Sequence, residues 1–399
     1  MVPTIDTNSS SKSVVSAKGK LHFWTWPRFT NLLPATPPPP PPPPPPSPPP
    51  PPLHAPFPMS RSNHLRYYIT VRLLLAPLMI LTITTVVFLL LRATPGDPVD
   101  SLLGPRAPES AKEDLRTQLG LDQSLWMQYL NYLGSLLRLD LGTSLATQGE
   151  TVWEIIQAHF PATVELTVCG MIVATVVGVG VGSLAASRPN SPLDAGGRLF
   201  GIITYAIPMY WFGMILQLIF AVQLQWFPVG TRYPLTQTPP NGPTGLYLLD
   251  SLLTLDFDQF ATTLYYLTLP SLTLGILISG VFERMVRVNL KQTLASDYVE
   301  AARARGISEF RIVMVHALRN ALIPVVTILG LTFAAMLGGA VLTEVTFSWP
   351  GLANRLYEAI SQRDYPVVQG LMVFFAMIVA IISILIDILN AYIDPRIRY

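Results

Sequence analysis

Charge is scarce in this chain: only 13% of its 399 residues are Asp, Glu, Lys or Arg, while half are hydrophobic. That balance, with a mean hydropathy of +0.43, excludes a soluble domain of ordinary composition. Cysteine is nearly absent. Cys169 is the only one, so no intrachain disulfide is possible, and a lone thiol in an apolar run reads as inert packing. Five His are scattered without metal-ligand spacing. No phosphate-binding G-x-x-x-x-G-K-S/T loop occurs: Gly19-Lys20 is the only Gly-Lys pair, and Leu21 follows it. No nucleophile constellation stands out. The chain therefore reads as a non-enzyme without a cofactor or metal of its own.

What is abundant is apolar sequence in long runs. A membrane-crossing helix needs about 20 apolar residues. Six runs are long enough or nearly so: residues 71–91, 162–186, 199–222, 265–281, 321–343 and 367–391. The fourth is the shortest, and Pro270 is expected to interrupt it. Basic residues mark the cytoplasmic side. Arg61, Arg66 and Arg72 precede the first run, and Arg188 and Arg198 lie between the second and third. Arg284, Arg287, Lys291, Arg303, Arg305, Arg311 and Arg319 lie between the fourth and fifth, and Arg396 and Arg398 follow the sixth. With six crossings all four regions fall on one face and both termini are cytoplasmic. An odd number of crossings breaks that agreement.

The expected organisation has four parts. Residues 1–60 carry the polyproline tract 37–52, interrupted only by Ser47, which forms an extended left-handed helix and no core. It reads as a ligand for aromatic-grooved adaptor domains or as a disordered extension, with translation starting at Met59 as a further alternative. Residues 61–92 hold the cytoplasmic start and the first span. Residues 93–161 form an extracytoplasmic loop domain too long for a tight connector, with a helix over 109–119, the interfacial aromatics Trp126 and Tyr129, and an amphipathic helix over 152–159. Residues 162–399 are the core, with a coupling loop at 283–320.

That loop contains the most regular polar segment of the chain, residues 297–324. Asp297 and Glu300 have capping-box spacing for a short helix. Val299, Ala301 and Ala302 give it a small, smooth face, and Gly306 suits the left-handed residue that ends it. Ser308 and Glu309 start a second helix, and Pro324 opens the next apolar run. Two helices and a glycine hinge between membrane spans make a stiff elbow, suited to passing force to a partner. Glu300 has two readings, a cap partner or a contact to that partner. Ala301 and Ala302 are also simply good helix formers. In the apolar runs, Gly178 and Gly182, and Gly330, Ala334 and Gly338, have the small-xxx-small spacing of close helix packing. Pro208 and Pro270 are candidate bends. Glu165, Glu344 and Asp387 lie near span ends, where pairing or snorkelling is the expected role.

Glu300-Ala301-Ala302, Gly306 and Ile323-Pro324, at this spacing, resemble the cytoplasmic EAA loop of binding-protein-dependent ABC importer permeases. The resemblance continues through Pro95-Gly96-Asp97-Pro98, then Leu121-Asp122, Trp126, Gln128-Tyr129, Asp140-Leu141-Gly142 and Ser144. It goes on through Phe347-Ser348-Trp349-Pro350-Gly351-Leu352, Arg363-Asp364-Tyr365-Pro366 and Asp394-Pro395-Arg396. These are similar to the dipeptide, oligopeptide and nickel branch, first-permease type. The resemblance implies an all-α, six-span type I importer fold in a bacterial inner membrane. It implies ATPase coupling at Asp297, Glu300, Ala301, Ala302 and Gly306, with ATP and Mg bound by separate ATPase subunits. It also implies a second, related permease and a periplasmic solute-binding protein. Peptides are the expected cargo, with nickel, glutathione or oligosaccharide as alternatives. A stand-alone secondary transporter needs mid-membrane ion-coupling residues and internal repeats, neither of which is visible.

Overall fold

The computed structural model describes residues 61–93, 98–104, 106–147 and 149–393. The polyproline tract, residues 94–97 of the first turn cluster, and Asp394 through Arg398 lie outside the described residues, as do the side chains of Arg61, Arg66 and Arg72. Among the described residues the protein is helical, with a single isolated bridge between Thr143 and Thr151.

Helix α1 (Arg61–Ala93) leads into the loop domain. That domain holds α2 (Pro98–Leu103), α3 (Glu109–Gln118) and α4 (Leu125–Leu137). Then follow α5 (Val152–Ser187), α6 (Pro192–Ala206) and α7 (Met209–Leu216), the last continuing as a π-helical stretch, Gln217–Gln223. After α8 (Tyr247–Leu253) comes the long α9 (Phe257–Leu294). The elbow is α10 (Asp297–Ala304), α11 (Glu309–Arg311), a second π stretch Ile312–Ala317, and α12 (Leu318–Ala321). The chain closes with α13 (Ile323–Gly339), α14 (Val341–Thr346), α15 (Leu352–Gln362) and α16 (Tyr365–Ile393). Among the described residues four helices are long and apolar enough to cross a membrane, and six spans result if the bent pairs α6–α7 and α11–α13 each count as one.

Helix α5 begins earlier than its apolar run. Thr151 and Glu154 form a capping box: Glu154 N donates to Thr151 Oγ1 at 3.2 Å and Thr151 N to Glu154 Oε2 at 2.8 Å. The segment expected as a separate amphipathic helix over 152–159 is therefore the first turns of α5, which runs on through Pro161. Its polar residues mark the edge of the bilayer, not the end of the helix. At 36 residues and 1.5 Å per residue, α5 spans roughly 54 Å, well beyond the ~30 Å of hydrocarbon.

One other expectation is corrected. Pro270 does not interrupt the fourth span: it is buried inside the 38-residue α9, where neighbouring helices keep freed backbone groups from lipid. The third span does bend at its candidate proline, by 102° between α6 and α7. Pro208 denies its predecessor the helical region, and Ile207 is accordingly extended, at φ −79° and ψ 126°.

The core centres on α5 against α9. Gly178 lets the helices touch: a Cβ there would lie 2.5 Å from Phe282 Cβ and 2.6 Å from the Ser279 carbonyl. At Gly182 it would lie 2.8 Å from the Glu283 carbonyl, and Gly275 meets Val173 in the same way. Gly330 faces Ile386 across α13 and α16, and Ala334 is buried. Gly338 is exposed with open space at its Cα, so among the described residues nothing packs against it there. A second cluster joins the start of α5 to α15 and α16.

Candidate functional site

The elbow is built by a short run of local bonds. Ser296, not Asp297, is the N-cap residue of α10, and its side chain makes no capping bond; its hydroxyl donates to Thr293 O at 2.5 Å instead. The capping box expected from Asp297 and Glu300 is thus absent. The two acids occupy the first turn, where negative charge favours the helix dipole. Val299 is fully buried among Ile312, Val313 and Ala317, which fixes how α10 sits on the elbow. Asp297, Glu300 and Ala301 consequently face outward, and Ala302 is half-buried.

Gly306 ends α10 at φ +75° with open space around its Cα. Gly306 N donates to Arg303 O at 2.9 Å and Ile307 N to Ala302 O at 3.3 Å. This is the paired bonding of a Schellman ending, and both Ile307 and Ala302 pack on the core. Two side-chain ties brace the hinge. Arg303 grips Glu309 with Nε–Oε1 at 2.7 Å and Nη2–Oε2 at 3.3 Å, and the bond to Glu309 raises the Arg303 guanidinium above its ordinary pKa. Asn320 Nδ2 donates to Tyr298 Oη at 3.0 Å, joining α10 to α12. Beside the exposed α10 face stand Phe310, 77% exposed, and the half-exposed Met314 and Val315. These apolar side chains escaped the sequence reading because they fall within the segment 297–324, which reads as polar.

A second feature lies next to the elbow. Asp194, buried at the first turn of α6, receives Lys291 Nζ at 2.8 Å, and Arg287 Nη1 approaches it at 3.7 Å. Arg287 Nε also donates to the buried Glu283 at 2.8 Å. Gly197 and Gly201 of α6 leave room for that carboxylate. The sequence carried a signal for this network in the i, i+4 spacing of Glu283, Arg287 and Lys291; Asp194 had none.

At the far end of the bundle, Glu165 is the acid for which pairing with a cation is seen, whereas Glu344 is held by neutral donors. Glu165 Oε2 accepts from Arg232 Nε at 3.0 Å and Nη2 at 2.8 Å, and its Oε1 accepts from Leu248 N at 2.7 Å. Glu344 accepts from Thr163 Oγ1 at 2.6 Å and Asn354 N at 2.7 Å. Two stretches that were distant in sequence also meet. Asp364 accepts from Ser144 Oγ at 2.6 Å, Leu145 N at 3.1 Å and Ala146 N at 3.2 Å, which ties the loop domain to the start of α16.

Comparison with known proteins finds two family models that match this chain. The model of the binding-protein-dependent transport system inner membrane component matches residues 178–399, and the model of the N-terminal part of such components matches residues 65–167. The chain is 42% identical over 320 residues to the di/tripeptide transport system permease protein DppB of Pseudomonas aeruginosa, covering 79% of this chain and 94% of that protein. It is 39% identical over 321 residues to the dipeptide transport system permease protein DppB of Escherichia coli K12, covering 79% and 94%. With the oligopeptide transport system permease protein AppB of Bacillus subtilis it shares 36% identity over 332 residues, covering 83% and 99%.

Proposed function

This chain belongs to the family of binding-protein-dependent transport system inner membrane components, and from that premise we propose that it carries small peptides across the bacterial inner membrane as one half of an ABC importer. Peptides are preferred over nickel, glutathione or oligosaccharides because the relatives matched over most of their length are named as peptide permeases. A second, related permease completes the pathway. A periplasmic binding protein delivers the cargo, and two cytoplasmic ATPase subunits bind the ATP and Mg. Both termini lie on the cytoplasmic side.

The observation that carries the coupling role is the outward face of α10 beside Phe310, held on a braced elbow between two apolar helices. A rigid lever with an exposed end suits transfer of motion. Asp297, Glu300 and Ala301 form the docking face, while Ala302 and Gly306 set its angle. ATP can drive the pathway only by binding one state of the assembly better than another. When the ATPases close, α10 moves with them, and Val299 passes the displacement to the core. The test is uptake of radiolabelled dialanine by cells lacking their own peptide permeases and expressing this chain with its neighbouring transport subunits. ATP-dependent uptake that vanishes when this chain alone is omitted supports the reading; uptake that persists without it refutes it.

A further inference from the structure

A cavity of about 450 Å³ lies between the end of α1, one face of α4 and the start of α16, lined by Arg92, Gln128, Tyr132, Asp140, Tyr365 and Gln369 among others. Its volume is that of a small-ligand pocket. Arg92 is fixed there. Its Nε donates to Gln128 Oε1 at 2.9 Å, and its guanidinium carbon lies 5.1 Å from the Phe88 ring centroid and 5.2 Å from that of Tyr365. Three residues of this lining each carry a buried polar atom without a hydrogen-bond partner: Arg92 Nη1, Tyr132 Oη and Gln369 Nε2. Gln369 is only 7% exposed. Buried polar atoms without partners cost stability unless something satisfies them. All three are hydrogen-bond donors, and one carries a positive charge, which is the donor set an oxyanion requires. Asp140 adds a carboxylate to the same lining, with Oδ1 accepting from Gly142 N at 2.9 Å.

The surroundings are rich in exposed apolar side chains. Leu81, Leu89 and Leu90 of α1 are exposed, as are Leu125, Trp126, Met127 and Leu130 of α4. Tyr129 of α4 bonds Thr85, about two turns down α1, at 2.6 Å. Helix α4 thus lies along the outer end of a span with apolar side chains outward, as interfacial helices do.

We propose that this cavity binds the oxyanion of a small zwitterionic group, with Arg92, Tyr132 and Gln369 donating to it and Asp140 facing its ammonium. Two sources share that chemistry: the headgroup of phosphatidylethanolamine, which the interfacial position puts within reach, and the carboxylate end of a free dipeptide. The site is remote from the elbow in sequence and stands whether or not the transport reading holds.

The full chain, purified in detergent and stripped of lipid, is titrated with short-chain phosphatidylethanolamine and separately with dialanine, with bound molecules counted by native mass spectrometry. Tyr132→Phe is the informative variant. It removes a hydroxyl that has no partner in the protein, so its melting temperature should match the native chain. Loss of one bond to a charged group should weaken binding about tenfold, and Gln369→Leu should act alike. Arg92→Gln should weaken it further. Weakening with the lipid alone assigns the site to a headgroup, and weakening with dialanine alone assigns it to a peptide. If neither probe binds the native chain, or Tyr132→Phe and Gln369→Leu bind both probes as the native chain does, the proposal is wrong.

Discussion

Replacing Arg232 by Met leaves the Glu165 carboxylate buried with its positive partner gone. In the native chain the side chains of the pair are 6% and 3% exposed. Arg232 makes two bonds to Glu165 and one to Gly245 O at 2.8 Å, and its guanidinium carbon lies 3.5 Å from the Tyr247 ring centroid. Glu165 also holds Leu248 N. The pair therefore pins the segment leading into α8 onto α5. Removing one member of such a pair costs about 3–5 kcal/mol, mostly because the remaining charge is uncompensated. At about 1.4 kcal/mol per factor of ten, the segment should open roughly a hundredfold or more as often. A thiol reports the opening. Ser251 is fully buried, and a cysteine there, in a chain with Cys169→Ala, should react with maleimide about a hundredfold faster in Arg232→Met than in the native background. Adding Glu165→Gln keeps an acceptor for Leu248 N and removes the lone charge, so the double variant should recover most of the protection. Equal labelling rates with and without Arg232 would refute the reasoning.

Three further outcomes are expected. Gly178→Val should lower thermal stability by about 1–3 kcal/mol through overpacking, because its Cβ would collide with Phe282 and the Ser279 carbonyl, whereas Gly180→Ala, with open space, should be neutral in the same melts. Asp364→Ala strands three donors from the loop domain, at about 1–3 kcal/mol for each that stays buried, and limited proteolysis should cut residues 144–147 faster. Cysteines at Ser110 and Thr238 should react with an impermeant thiol reagent in intact cells, and those at Ser191 and Ser308 should not.

Much of this architecture was legible because membrane helices announce themselves by length and composition. The elbow was legible too, since Gly306 is the residue type a left-handed turn requires. Other features depend on geometry that no local pattern records. Ser296 displaced Asp297 as N-cap residue because α10 begins one residue earlier than the capping-box spacing assumed, with Asp297 already in its first turn. The network of Asp194 with Lys291 and Arg287 joins residues almost a hundred apart, and Asp364 meets Ser144 across 220 positions. Helix α5 hid its true start because polar residues mark where bilayer ends, while a capping box marks where a helix begins. The true box, Thr151 with Glu154, was in plain sight.

The central claim is that α10 is the docking lever for the ATPase, and co-purification of the ATPase subunits with this chain tests it most directly. A β-branched residue at Gly306 would be forced to φ +75°, a strain of about 1–3 kcal/mol, while the apolar helices still insert. Gly306→Val and Glu300→Lys should each leave the amount of protein in the membrane nearly unchanged and sharply reduce both the recovered ATPase and dialanine uptake, with Arg311→Ala milder. Native levels of ATPase recovered with Gly306→Val, at full uptake, would contradict the account.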